Sequence, residues 1–411
     1  MPTSHTCGRS LAIAVTLAVS LPAQAVRGGD LVTADFSTHA IYRVDGTGAI
    51  STLYSGPLLT GPSGLTVARS RDVIVADFNS SSLVRIDATT GVAGSFASGL
   101  GGPLRITQNF AGDFVVTSNS QHALLAVTPG GQVSTVASGA PFNRPFGVSM
   151  DWNGDYLVAD DLAPGVFRVS PTGSITTIHA GLPLRLPQGV ALFPNGDYAV
   201  IDGITDLVYR IDRGTGVVTI FCPNATLGGN PEGLVPDFGG GFVVSQSQAS
   251  GSRIVAVDPL GGAVQIAAGA PMVNLEDVAK VPHLRGPEVL STGPGASFTF
   301  DLDLPQNQGQ LYALVLSASV FPGWQFPTGD PRSLTVNADA FFFATIGRNA
   351  PPFLGNWTAF LDGSGHGTAT SDLSVLPTGA LAGLLFFQQG FTLTSGLQVG
   401  GVCNVLRLPV Q

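Results

Sequence analysis

The sequence predicts an all-β protein, in which a six-bladed β-propeller is followed by a small antiparallel β-sandwich. Two observations carry this prediction. A motif made of a turn, an apolar run and a closing polar residue recurs six times at nearly constant spacing. After residue 281 the period stops, and strand-like segments without helical periodicity continue to the end of the chain.

The first 25 residues have the features of an export signal. Arg9 supplies a positive charge, residues 11–21 form a short apolar run, and Ala23-Gln24-Ala25 is a small-residue cleavage site. The apolar run is too short to span a bilayer as a helix. We therefore expect a secreted protein, extracellular or periplasmic, with no membrane insertion.

The composition agrees with an all-β chain and excludes one class of partner. Glycine (54) and proline (29) are abundant, and charged residues make up 11% of the chain, against about 25% in typical domains. The net charge is -9, and Lys280 is the sole lysine. A chain with no cationic face cannot neutralise many phosphates, so we expect neither nucleic acid nor anionic membranes as partners.

The repeat is clearest at residues 154–160, which read GDYLVAD. Its six equivalent starting positions are Asp30, Asp72, Asp113, Asp155, Asp197 and Gly241, in steps of 42, 41, 42, 42 and 44 residues. One unit contains four extended runs, separated by turn residues such as Asn153-Gly154, at 146–150, 156–159, 166–169 and 174–178. Four antiparallel strands in a unit of this length are typical of a propeller blade.

The phase of the repeat predicts how the ring closes. A Pro-x-Gly motif opens the first strand at Pro62, Pro145, Pro187 and Pro231, and a variant opens it at Pro103. None precedes Asp30, but residues 275–280 match the register of residues 231–236. We therefore expect a propeller over residues 26–281, closed by strand 275–280, which removes the exposed sheet edge.

The remaining chain predicts a linker and a second domain. Residues 282–297 are rich in proline and glycine and indicate a linker, and residues 298–411 indicate a β-sandwich module. Its strands are expected at 298–304, 311–320, 334–346, 357–361, 382–387 and 402–408. Adhesion, sorting and shielding are all open as roles for this module. Cys222 and Cys403 are the two cysteines left after signal cleavage, and their pairing is likewise open.

Residues 144–178 resemble the NHL-type repeat and its relatives among the gluconolactonase-like and streptogramin-lyase-like propellers. The resemblance covers the propeller and ends with it. It implies a propeller whose ligand site lies at one mouth of the central channel. It does not imply one activity, because propellers carry many unrelated functions.

The residue after the motif proline forms a ring at that mouth. Its six members are Ser63, Leu104, Phe146, Gln188, Glu232 and, by register, Glu276. The polar members are consecutive around the ring, and two carboxylates beside an amide are suitable ligands for a hard cation such as Ca²⁺. The resemblance to gluconolactonase-like proteins implies that Glu232 matches a metal-ligating carboxylate, and that Gln188 stands where those proteins have an asparagine. The alternative is a solvated mouth without metal.

A second ring lies at the ends of the second strands. Its members are Asp35, Asp77, Ser118, Asp160, Asp202 and Gln246. Short polar side chains at strand ends commonly bind the turn backbone, although Asp202 and Asp35 are placed to reach the polar arc. The resemblance to streptogramin lyases implies a histidine base, for which His39 and His122 are the candidates, with an ordinary loop position as the alternative.

Our leading interpretation is a non-catalytic protein that binds a small molecule, glycan or protein at the propeller mouth, with Phe146, Gln188, Glu232, Glu276 and Asp35 as candidate ligand-binding residues. The alternative is a metal-dependent hydrolase of the lactonase type, or a streptogramin-type lyase. In that case Glu232, Glu276 and Gln188 would hold the cation and Asp202 would act as the base.

Overall fold

The structure is a computed structural model that describes residues 25–248, 251–287, 290–326, 332–336, 354–355, 357–374, 376–379, 381–382, 384–396 and 398–411. The expected signal segment, up to residue 24, lies outside the described residues. Within these ranges, no helix combines the length and apolar character needed to cross a bilayer.

Six four-stranded antiparallel sheets form the first domain, as the repeat predicts. A single short helix, α1 (Asn224–Leu227), interrupts the fifth repeat. In chain order the strands are β1 (Leu31–Asp35), β2 (Ala40–Val44), β3 (Ile50–Ser55), β4 (Pro62–Val67), β5 (Val73–Asp77), β6 (Ser82–Ile86), β7 (Ala93–Ser98), β8 (Pro103–Gln108), β9 (Phe114–Ser118), β10 (Ala123–Val127), β11 (Val133–Ser138), β12 (Pro145–Met150), β13 (Tyr156–Asp160), β14 (Gly165–Val169), β15 (Ile175–Ala180), β16 (Pro187–Leu192), β17 (Tyr198–Asp202), β18 (Leu207–Ile211), β19 (Val218–Cys222), β20 (Pro231–Asp237), β21 (Gly241–Gln246), β22 (Arg253–Val257), β23 (Ala263–Ala268) and β24 (Leu275–Lys280).

The burial of each strand follows its distance from the channel. The second strand of every blade is buried along its whole length, because neighbouring blades cover both of its faces. Between two blades, for example, Leu157 and Ala159 of β13 pack with Val190 and Tyr198 of the next blade. The fourth strands lie at the rim and are largely exposed or half-buried, as β11 is.

The ring closes as predicted. β24 pairs with β1, so that Val32 lies opposite Ala279 and Thr33 opposite Val278. The innermost strands β24, β4, β8, β12, β16 and β20 pack side by side in a closed circle around the channel. Pairing the two ends of the repeat region covers the strand edge that an open sheet would expose.

The second domain is a β-sandwich, as expected. One sheet has the order β25-β26-β32-β30, the other has the order β31-β27-β33-β34 with β35 also on β33, and β28 pairs with β29. Phe300, Leu314, Trp357, Phe386 and Leu408 pack together between the two main sheets. The strands are β25 (Leu284–Arg285), β26 (Ser297–Asp303), β27 (Leu311–Ser317), β28 (Val320–Gln325), β29 (Ser333–Val336), β30 (Leu354–Gly355), β31 (Thr358–Phe360), β32 (His366–Asp372), β33 (Leu385–Leu393), β34 (Val399–Val402) and β35 (Leu406–Pro409).

Some strand positions in this domain differ from the sequence-based expectation. The segment 282–297 contributes β25 to the sandwich, where a linker was expected. The run expected at 382–387 is β33 and continues to Leu393, and the run expected at 402–408 is parts of two strands. β32 was not expected, because its sequence HGTATSD is polar and alternates with small residues instead of large apolar ones. Part of the strand expected at 334–346 lies outside the described residues.

The sandwich packs against one end of the propeller channel. Asp303 accepts hydrogen bonds from Arg27 and Arg71 of the propeller, and Trp152 meets Phe387 edge to face with ring centroids 6.4 Å apart. The opposite end of the channel, where the inner strands begin, is the upper mouth. Cys222 and Cys403 are both buried and unpaired.

Candidate functional site

A β-bulge at the start of each inner strand forms the ring at the upper mouth. In β20, Pro231 pairs with Gln246 and Gly233 pairs with Ser245, so that Glu232 is left without a partner in the ladder. The same irregularity occurs in β4, β8, β12, β16 and β24. Because bulges re-aim side chains and free backbone groups, each ring position can face the channel.

Arg105 occupies the centre of this ring. Its Nη1 donates to the carbonyl oxygen of Ser63 at 2.5 Å, and its Nη2 donates to the carbonyl oxygens of Glu276 at 2.7 Å and Glu232 at 3.0 Å. The guanidinium also stacks on the ring of Phe146, with its carbon 4.6 Å from the centroid. One buried cation thus ties four inner strands together and closes the channel.

The guanidinium has a buried counter-ion. Arg105 Nε lies 3.9 Å from Asp277 Oδ1, and Asp277 Oδ2 accepts a hydrogen bond from the backbone N–H of Leu65 at 3.0 Å. Burial raises the pKa of Asp277, while the charge of Arg105 opposes that shift. Arg105 and Asp277 are therefore the charged pair on which the interior of the ring depends.

Glu232 lies in a partly desolvated pocket of the mouth. Its Oε1 accepts a hydrogen bond from Asn230 Nδ2 at 2.6 Å, and its Oε2 accepts one from Gln188 Nε2 at 3.3 Å. Burial and the neighbouring carboxylate of Glu276 raise the pKa of Glu232 to about 7. Glu232 is therefore close to half-protonated at neutral pH.

The neighbouring ring members extend this arc of acceptors. Glu276 Oε1 accepts a hydrogen bond from Asn274 Nδ2 at 3.4 Å, and its Oε2 lies 4.0 Å from Arg105 Nη2. Burial raises the pKa of Glu276, with Arg105 opposing the shift. Gln188 Oε1 is buried and has no hydrogen-bond partner among the described residues. The expected polar arc is therefore present, and its free atoms are mainly acceptors.

The second ring has a structural function at the strand ends. Asp202 accepts hydrogen bonds from the backbone N–H groups of Arg185, Leu186, Ile204 and Thr205. Asp35 does the same for Ser37, Thr38, Val273 and Asn274. Each of these buried carboxylates therefore accepts hydrogen bonds from the backbone of two loops and fixes them relative to each other. This geometry does not favour Asp202 as a base or Asp35 as a ligand contact.

The histidine candidates lie in the turns after the second strands. His39 and His122 have positive φ angles of 50° and 48°, and Ser81 and Asp206 have the same conformation in equivalent turns. His122 Nδ1 contacts the carbonyl oxygen of Asn143. Both histidines therefore have the backbone conformation that this turn requires. Among the described residues, neither histidine has a contact with a residue of the polar arc.

The oxygen atoms at the upper mouth are not a good ligand set for a divalent cation. Glu232, Glu276 and Gln188 supply oxygen atoms, but the guanidinium of Arg105 already lies among them and repels a second positive charge. No group of three or more histidine, cysteine, aspartate or glutamate side chains in the described part of the chain is arranged to hold a metal ion.

Arg105 and Asp277 were not identified from the sequence, although a signal was available. The third position of the opening motif is glycine in β4, β12, β16 and β20, but arginine in β8 and aspartate in β24. Glycine is required there because a Cβ at Gly64 would lie 2.2 Å from the carbonyl oxygen of Leu104. The two strands that lack this glycine carry side chains of opposite charge there, which indicates an ion pair inside the channel.

The chain resembles several proteins of known structure in its fold. No protein-family profile matches the sequence, and no curated protein matches it. A chain of a nidogen/laminin complex superposes with a TM-score of 0.53 at 14% identity, over 61% of this chain and 98% of that one. A gluconolactonase from Xanthomonas campestris gives 0.48 at 14% identity, over 69% and 96%. A virginiamycin B lyase from Staphylococcus aureus gives 0.48 at 15% identity, over 67% and 94%.

The expected resemblance to propellers of the gluconolactonase and streptogramin-lyase kinds is therefore found again among solved structures. The nidogen/laminin chain superposes with a TM-score above 0.5, and at 14% identity that likeness concerns the fold and carries no information about activity.

Proposed function

We propose that the protein is exported and binds a polar ligand at the upper mouth without catalysing a reaction. The observation that carries this proposal is the position of Arg105. A buried guanidinium that is hydrogen-bonded to backbone carbonyl groups of three inner strands lies 4.0 Å from Glu276 Oε2, beside the carboxylates that would have to hold a catalytic cation. What remains around it is a fixed, acceptor-rich surface suited to recognition.

The ligand class follows from the free atoms of the arc. Glu232, Glu276 and Gln188 offer carboxylate and amide oxygens, and burial together with the charge of Glu276 raises the pKa of Glu232 to about 7. Such a surface favours a ligand that supplies neutral hydrogen-bond donors, namely the hydroxyl groups of a glycan. Each charge-assisted hydrogen bond that forms there contributes about 1.5–3 kcal/mol.

The competing function is a metal-dependent hydrolase of the lactonase type. One observation favours it, since Glu276 raises the pKa of Glu232 and a cation between the two carboxylates would relieve that repulsion. Glu232, Glu276 and Gln188 would then hold the ion, which would polarise a carbonyl group of the substrate. Arg105 opposes this arrangement, and Asp202 is engaged by two loops.

Thermal unfolding of the purified protein separates the two functions. Wild type and Glu232→Gln are melted with Ca²⁺, with chelator and with glucosamine, N-acetylglucosamine and glucose as probes bearing ammonium or hydroxyl donors. For a recognition site we expect no Ca²⁺ effect and a probe-dependent rise of about 2.7 kcal/mol at a hundredfold excess over Kd, lost in the variant. A Ca²⁺-dependent rise in wild type that disappears in Glu232→Gln, together with lactone hydrolysis, would favour the enzyme instead.

Export is tested independently. After expression in a bacterium with its own leader, N-terminal sequencing of the mature protein is expected to begin near Val26. Recovery of the intact N-terminus from the cytoplasm would contradict the proposal.

A further inference from the structure

A second site lies at the other end of the channel, between the propeller and the sandwich. The two domains enclose a cavity of about 400 Å³, within the range of small-molecule sites. Arg69 and Gly286 line this interdomain cavity and are exposed, so it communicates with solvent. It shares no residue with the upper mouth.

The charge of the interdomain cavity is opposite to that of the protein. Four arginines line it, Arg69, Arg71, Arg285 and Arg407, and its lining among the described residues includes no aspartate or glutamate. The whole chain has a net charge of -9 and only 18 lysine and arginine residues. Asp303, which lies outside the lining, pairs with Arg71 at 2.8 Å, and one carboxylate does not balance four neighbouring cations, so an additional anion would be favourable.

Several hydrogen-bond donors of residues that line the cavity are unsatisfied. The Nε atoms of Arg71, Arg285 and Arg407 and the hydroxyl of Ser149 are buried and have no hydrogen-bond partner among the described residues. Burial followed by the charge of Arg285 lowers the pKa of Arg71, and burial followed by the charge of Arg69 lowers that of Arg407. A buried donor without an acceptor costs about 1–3 kcal/mol, so a ligand that supplies acceptors would be stabilised.

The backbone conformation of Arg71 also indicates that its side chain has a function at the cavity. The turn that precedes the second strand contains a glycine with positive φ in the other five blades, at Gly29, Gly112, Gly154, Gly196 and Gly240. Arg71 takes the same left-handed conformation, with φ of 74°. A bulky residue in this region is strained, and such strain is often retained where the side chain has a function. Here it places the guanidinium against Asp303 at 2.8 Å and at the cavity.

The rest of the wall is apolar and aromatic. Phe110, Trp152 and Phe238 line the cavity, and the guanidinium of Arg407 stacks on Phe110 with its carbon 4.5 Å from the ring centroid. Guanidinium groups bind carboxylate and phosphate oxygens in bidentate geometry, and aromatic walls accommodate a flat or aliphatic body. We propose that the interdomain cavity binds a small organic anion, in which a carboxylate or phosphate group is joined to an apolar body.

Isothermal titration calorimetry of the purified protein tests this proposal with 2-naphthoate, 2-naphthyl phosphate and the neutral 2-naphthamide. We expect the acids to bind at least about tenfold more tightly than the amide, because hydrogen bonds to a charged group contribute 1.5–3 kcal/mol. The tighter of the two acids identifies the preferred head group. Equal affinity of the acids and the amide, or no binding of any probe, would overturn the proposal.

Variants locate the site. Arg285→Gln and Arg407→Gln are each expected to weaken 2-naphthoate binding by about tenfold. Arg85→Gln, which alters an exposed arginine paired with Asp72 outside the cavity, should leave the affinity unchanged. Unchanged affinity in both cavity variants would contradict the assignment. If either variant fails to fold, the difference in affinity between the two acids and the amide in wild type still tests the proposal.

Discussion

Arg105 Nε lies 3.9 Å from Asp277 Oδ1 inside the propeller channel, and the two residues come from inner strands separated by β4. They can approach because the intervening strand carries Gly64 at the same position, where no side chain obstructs the contact. At these two positions the glycine of the repeat is therefore replaced by side chains of opposite charge, which contact each other inside the channel.

The first prediction concerns the loss of this cation. Arg105→Met removes the guanidinium and leaves Asp277 buried without its counter-ion, so we expect the free energy of unfolding to fall by about 3–5 kcal/mol. Urea unfolding at pH 7 measures this change. Arg85→Met is the control, because Arg85 is half exposed and its pair with Asp72 contributes about 0–1 kcal/mol.

The double variant separates the loss of the charge pair from the loss of packing by the Arg105 side chain. Asp277→Asn in the Arg105→Met background should restore part of the lost stability, because the buried charge is then absent as well. A double-mutant cycle with an interaction energy of at least about 1 kcal/mol is expected for groups in one network. Additive effects, or an Arg105→Met variant as stable as wild type, would be inconsistent with this role.

The second prediction concerns pH. Burial and Glu276 raise the pKa of Glu232 to about 7, against about 4.5 in the unfolded chain. Between these values the folded protein holds a proton that the unfolded chain has released, so the contribution of Glu232 to stability falls as the pH rises and is constant above about 7. The total change is up to about 3 kcal/mol, at 1.36 kcal/mol per unit.

Glu232→Gln should therefore be more stable than wild type at pH 8 and similar to it at pH 4.5, as measured by urea unfolding across this interval. Glu276→Gln should move the Glu232 transition to lower pH, because a like charge is removed. Asp212→Asn is the control, since the turn hydrogen bonds of Asp212 lower its pKa and any loss of stability in this variant should be nearly constant across the interval. Parallel stability curves for wild type and Glu232→Gln would refute the assignment.

The third prediction concerns the contact between the domains. The side chain of Asp303 is 2% exposed and lies 2.8 Å from both Arg27 and Arg71. Hydrogen bonds from Gly28 and Arg27 and the charge of Arg71 keep its pKa below the usual range against the effect of burial. The stability that it contributes is therefore present at pH values above about 4 and is lost as the pH falls further.

Asp303→Asn removes the charge from this contact, and we expect a loss of about 3 kcal/mol at pH 7 with faster proteolysis between the domains. Asp301→Asn, two residues earlier in the same strand, is the matched control and should have little effect. The difference between wild type and Asp303→Asn should shrink below pH 4. A difference that is independent of pH would mean that the charge is not responsible.

The period of the repeat was sufficient to predict the blades, the closing strand and the ring position of Glu232 and Glu276, because pairing register is a local consequence of turn spacing. It was not sufficient for Arg105, whose partners come from β4, β20 and β24 and are up to 171 residues away in the chain. Nor could it predict the raised pKa of Glu232, which depends on burial by neighbouring blades. The sandwich was predicted less well because it has no repeat to fix the register of its strands.

The last prediction concerns the glycines of the inner strands. A Cβ at Gly64 would lie 2.2 Å from the carbonyl oxygen of Leu104 and 2.9 Å from the Cα of Arg105, both of which are backbone atoms. Gly64→Ala should therefore force β4 and β8 apart, with a loss of about 3 kcal/mol in the free energy of unfolding. At Gly94 in β7 a Cβ would meet nothing within 4 Å, so Gly94→Ala should be neutral or stabilise by up to about 1 kcal/mol. Differential scanning calorimetry of both variants measures the contrast. Similar midpoints for the two would show that the inner strands are not packed as closely as this geometry requires.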